Sequence, residues 1–86
     1  MSQRDFLEPI EVIVHFAPNG IRPLRFLWHG HTHRIKTVRG RWTTFEGQQQ
    51  SRHYAVSTLE IGNCELTFTP ENLTWNIVSV SNSSQE

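Results

Sequence analysis

Arg22-Pro23-Leu24-Arg25-Phe26-Leu27-Trp28-His29-Gly30-His31-Thr32-His33-Arg34-Ile35-Lys36 is the stretch that decides the fold of this chain. Leu24, Phe26 and Trp28 recur at every second position, the period of a strand with one buried face. Gly30 accepts the positive φ of a tight turn, and a second strand-like segment carrying Ile35 follows it. The stretch reads as a hairpin. Leu24, Phe26, Trp28 and Ile35 face one way, with Arg25, His29, Arg34 and Lys36 largely on the other.

Similar patterning extends on both sides. Ile10–Phe16 alternates, with Ile10, Val12, Val14 and Phe16 on one face, and Ala17-Pro18-Asn19-Gly20 turns it into the strand Leu24–His29. The next strand, His33–Arg39, carries Ile35 and Val38 three apart, which predicts a β-bulge or strong bend. Gly40–Ser51, with Gly47 and Gln48-Gln49-Gln50, reads as a mobile polar loop. His53–Leu59 and Cys64–Thr69 form a hairpin about Ile61-Gly62-Asn63, and Pro70-Glu71-Asn72 leads to a sixth strand, Leu73–Val80. No window has helical spacing. Six short strands predict an all-β fold, a small antiparallel barrel of SH3-like or related type with no substantial helix. Residues 8–80 are expected to form its single domain. Residues 1–7 are expected to be flexible, with Phe6 and Leu7 tucking under the first strand, and 81–86 to be a disordered tail.

A chain of 86 residues holds one core, and its three Trp, five Phe and one Tyr dominate it, each burying about 150–250 Å². The lone Cys64 excludes an internal disulfide and reads as a buried, inert thiol. No apolar run approaches the roughly 18 residues of a membrane span, and no signal-peptide core precedes the first strand. A cytoplasmic chain without membrane contact, monomeric or weakly dimeric, is expected. The sequons at Asn72 and Asn82 then go unused.

Zero net charge hides a segregation. Residues 22–53 hold seven basic residues against Glu46, and the remainder holds Arg4 against seven acids, giving +6 and −6. Basic residues interleaved with aromatics suit nucleic acid, because Arg and Lys neutralise phosphates and exposed rings stack on bases. Arg25, Arg34, Lys36, Arg39, Arg41 and Arg52 are the candidate anion contacts, with Trp42 and Phe45 as candidate stacking rings. Neutralisation across strands is the competing account of the same residues. His29, His31 and His33 raise a metal site, since three imidazoles and a water make a catalytic zinc centre. A turn at Gly30 would separate His29 from the others, so no metal or other cofactor is expected. The hydroxyls of Thr43, Thr44, Ser57 and Thr58 have no recognisable activating partner, and an enzyme is not expected.

Glu8-Pro9-Ile10-Glu11-Val12, Arg22-Pro23-Leu24-Arg25-Phe26-Leu27-Trp28-His29-Gly30, Arg34-Ile35-Lys36-Thr37-Val38 and Trp42 resemble a family of small bacterial domains of unknown function. The similarity continues through His53-Tyr54-Ala55-Val56-Ser57-Thr58, Cys64-Glu65-Leu66, and Trp75, Ile77 and Val80. Its most specific part is Phe26-x-Trp28-x-Gly30 followed by a basic strand. Such domains occur alone or appended to proteins resembling Y-family translesion polymerases, which implies a DNA-related role by analogy. The resemblance carries over no catalytic residue. It implies arginine where this chain has His29 and His31, and often an aromatic residue at His33, which suits an anion-facing surface better than a metal. The leading expectation is a non-enzymatic module binding nucleic acid weakly, with a DNA-processing protein as a possible partner. Its alternatives are a module gripping a peptide at a barrel edge or the 40–51 loop, and a metal-binding domain.

Overall fold

Period-two patterning carries the chain through six antiparallel strands, in a computed structural model that describes the backbone from Ser2 to Asn82 and the side chains from Leu7 to Ser81. They are β1 (Ser2–Ala17), β2 (Gly20–Trp28), β3 (His31–Glu46), β4 (Gln49–Thr58), β5 (Asn63–Thr69) and β6 (Thr74–Asn82). Each strand pairs with the next, and β6 pairs back onto β1, so the all-β barrel is closed. Closure removes most of the sheet edges that a chain this small would otherwise expose. Up-and-down order puts the β2–β3 and β4–β5 turns at one end of the barrel. The β1–β2, β3–β4 and β5–β6 turns lie at the other.

Two long strands make the corners. β1 pairs with β6 through Ile10 and with β2 from Glu11 onward. β3 pairs with β2 across His31–Arg34 and with β4 from Ile35 to Glu46. The ladder shifts register between Ile35 and Thr37 and again between Val38 and Gly40. These are the bulges that the spacing of Ile35 and Val38 predicts, and they let one strand bend from one sheet into the other.

The core is a cluster of Ile10, Phe26, Tyr54, Val56, Cys64, Leu66, Phe68 and Ile77, with Trp28, Ile35, Val38 and Trp75 packed against it. Phe26 retains 1% of its exposure and Val56, Leu66 and Ile77 none. Burying each such side chain contributes about 1.5–3 kcal/mol. Burial also pushes the Cys64 thiol up to about 12, so it stays protonated and unreactive.

Several expectations are corrected. Gly40–Ser51 is not a loop: β3 and β4 pair from Thr43↔Arg52 to Glu46↔Gln49, and Gly47-Gln48 alone makes the turn. Both faces of this arm reach past the barrel into solvent, so its sequence is polar while its backbone is fully laddered. Leu24 and Phe16 do not face the core, being 38% and 73% exposed. The β1–β2 ladder steps from Ile13↔Arg25 to Val14↔Pro23, which leaves Leu24 as the extra residue of a bulge and turns Pro23 inward instead. β1 begins at Ser2, where residues 2–5 pair with β6, and the ladder slips between Asp5 and Glu8, so Leu7 falls at the irregularity and is exposed. The Phe6 side chain, Met1 and residues 83–86 of the expected tail lie outside the described residues.

Candidate functional site

β2 pairs with β3 over four residues only, from Arg25↔Arg34 to Trp28↔His31. Its first half, Gly20–Leu24, stays with β1 while β3 departs with β4. The barrel wall therefore opens between Gly20–Leu24 and the segment from Ile35 onward. Pro23 brings no N–H to this opening, and Lys36 and Arg39 fall where the β3–β4 ladder slips. These features keep the two strand edges from zipping together.

Three contiguous hollows, sharing Arg41, run along the opening. One of about 440 Å³ lies between Arg22, Leu24, Lys36 and Arg41 and is floored by Pro23 and Val38. A second, of about 280 Å³, adds His15 and the Asn19-Gly20 turn. The third, of about 310 Å³, continues along the β3–β4 arm past Trp42, Arg52, His53 and Tyr54. No Asp or Glu lines any of them. Among the described residues, no ion pair engages Arg22, Lys36, Arg41 or Arg52.

The candidate residues of the sequence are thus divided. Lys36, Arg41 and Arg52 line the opening. Arg34 does not belong there: its side chain and backbone N–H both donate to Glu60 at 2.9 and 2.8 Å. Those contacts hold the Glu60 carboxyl below its ordinary value, the Arg34 backbone N–H contributing most. Glu60 also relieves the like-charged pair Arg25↔Arg34. Arg25 and Arg39 are exposed away from the hollows. Arg22 and His15, which the sequence did not single out as contacts, do line them. Their signal was the Asn19-Gly20 turn beside them, which is mute until the β2–β3 gap is known.

Trp42 and Phe45 are separated by alternation. The arm pairs Arg41↔Tyr54, Thr43↔Arg52 and Phe45↔Gln50, and Tyr54 is buried in the barrel. Arg41, Thr43, Phe45 and Arg52 therefore share the concave face. Trp42, Thr44 and His53 share the convex one. There the Trp42 and His53 rings stack at 4° with centroids 5.2 Å apart. His53 joins Glu65 through Nδ1 at 2.9 Å and the Thr44 hydroxyl through Nε2 at 2.7 Å. This corrects the expectation that Thr44 lacks an activating partner. With its other ring nitrogen on Glu65, His53 is oriented to accept the Thr44 proton. The same contacts fasten the arm to β5.

The three histidines of the β2–β3 turn have different surroundings, although the His31 and His33 rings lie 6.5 Å apart. His29 (φ 52°) and Gly30 (φ 77°) form the two-residue turn, both at the positive φ that such hairpins require. His29 stacks on Trp28 and shares Glu8 Oε1 with the Trp28 indole N–H, each at 2.9 Å. His31 is exposed, whereas His33 is buried between Phe26 and Trp28. Among the described residues, no group of three or more His, Cys, Asp or Glu side chains is arranged to hold a metal ion. No helix there is long and apolar enough to cross a membrane. Comparison with known proteins finds no matching family model, curated protein or solved structure.

Proposed function

We propose that this small barrel, of SH3-like or related type, is a non-enzymatic module that binds nucleic acid weakly through the opening between β2 and β3, beside a DNA-processing partner. The observation that carries the reading is the set Arg22, Lys36, Arg41 and Arg52 around contiguous hollows without a carboxylate. Gathering four cations without counter-charge disfavours the folded chain by self-repulsion unless an anion relieves it. A phosphodiester backbone supplies negative charge at regular intervals and releases condensed counterions as it binds.

Titration with a fluorescent oligonucleotide at rising salt tests this. Micromolar or weaker affinity is expected, with log K falling against log salt by about three for four neutralised phosphates. Replacing Arg41 and Arg52 by Gln should flatten that slope by about one to two units without lowering the melting temperature. Binding that ignores salt would overturn the proposal. The open β3 edge favours a second reading, an extended peptide added as a strand. That ligand would protect β3 amides from exchange and depend little on salt.

A further inference from the structure

We infer that the opening takes nucleic acid in single-stranded form, laid along the concave face of the β3–β4 arm with Phe45 as its base-stacking side chain. The inference rests on the nucleic-acid reading above and adds the form bound and the residue that meets the bases.

Alternation is the first argument. Arg41, Thr43 and Phe45 follow one another on the concave face, and Arg52 stands opposite Thr43. Each step of two residues advances about 6.7 Å, so Arg41 and Phe45 lie about 13 Å apart. An extended single strand advances by a comparable distance per nucleotide, so a short run of phosphates and bases matches these side chains in sequence.

Availability of the rings is the second. Phe45 is 66% exposed, and among the described residues its ring stacks on no other. An exposed aromatic ring beside two unpaired arginines is what a sequence-tolerant single-strand site needs, because every base offers a flat face. Trp42, the larger ring, already lies flat against His53, and the stacked pair borders the third hollow.

Shape is the third. The cations line a recess where the wall parts rather than a convex ridge. A duplex keeps both faces of each base covered by neighbouring pairs, so it has nothing to give Phe45. A single strand enters the recess with its phosphates and turns its bases toward the tip of the arm.

The test compares oligo-dT and oligo-U of three to twelve nucleotides with a twelve-base-pair duplex by fluorescence anisotropy at low salt. Single strands should bind more tightly than the duplex, and affinity should level off near four to six nucleotides, within the site sizes of small barrels. Phe45→Ala should weaken single-strand binding about 5- to 100-fold, the range of one lost stacking contact. Phe45→Trp should restore it, and Leu59→Ala, at an exposed position in the β4–β5 turn at the other end of the barrel, should leave it within about twofold. Unchanged melting temperatures identify variants that still fold, and oligo-dT against oligo-U reports which sugar is preferred. Duplex binding as tight as single-strand binding, or an indifferent Phe45→Ala, overturns this inference and leaves the nucleic-acid reading standing. Absence of binding to every probe removes that reading as well.

Discussion

His33 is the most exacting residue of the barrel. It retains 7% of its exposure, packs on Phe26 and Trp28, and its Nδ1 meets no hydrogen-bond partner. Burial holds its pKa below the ordinary 6.5; Glu60 pulls upward, His31 and His29 press it down, and the Trp28 backbone raises it. The native state thus binds fewer protons than the unfolded chain near pH 6.5, and stability rises with pH there. The melting temperature should be constant above about pH 7 and fall as the pH drops through 6.5. His33→Phe should remove His33's share of that fall. A wild-type melting temperature flat from pH 7.5 to 5 would contradict the account. Thr44 poses a separate question at the same scale, because His53 and Glu65 stand behind its hydroxyl. Incubation with an activated ester should leave no acyl group on Thr44, and an adduct lost in Thr44→Val would overturn the non-enzymatic reading.

At the scale of elements, the β3–β4 arm carries most of the candidate site and is the element its sequence hid best. Gly47 turns it at φ 61° with nothing within 4 Å of where a Cβ would stand. Gly47→Ala therefore isolates the conformational term, and a loss of about 1–2 kcal/mol is expected by chemical denaturation. Leu24, an exposed bulge residue lining the largest cationic hollow, makes the complementary case. Leu24→Lys should change stability by less than about 0.5 kcal/mol while tightening oligonucleotide binding. Strands with one buried face were legible, because Phe26, Val56 and Leu66 imprint their period on the sequence. The arm was not, since Arg41, Thr43 and Phe45 alternate with residues equally exposed and the hydrophobic signal vanishes. The bulge at Leu24 was illegible for another reason: Pro23 and Leu24 are both apolar, and only the β1 register decides which turns inward. Composition gave the cations but not their grouping, which depends on where β3 leaves β2.

The whole molecule closes by pairing its first strand with its last. Phe26→Ala should cost about 3–5 kcal/mol, a large part of the roughly 5–15 kcal/mol that holds a domain together, and a lowered denaturation midpoint would measure it. Among the described residues, Arg34 is the one Arg or Lys of the basic segment that forms an ion pair with a carboxylate. The register Ser2↔Asn82 has one more consequence. Ser2 and Asn82 stand opposite each other in the ladder, so the first and last strands of the barrel meet at one seam. A circular permutant, joined across that seam by a short linker and reopened between Gly47 and Gln48, should keep every ladder intact. In that permutant the two halves of the arm become the new termini, each free to fray, and the basic face becomes the part of the molecule that can be loosened without touching its core.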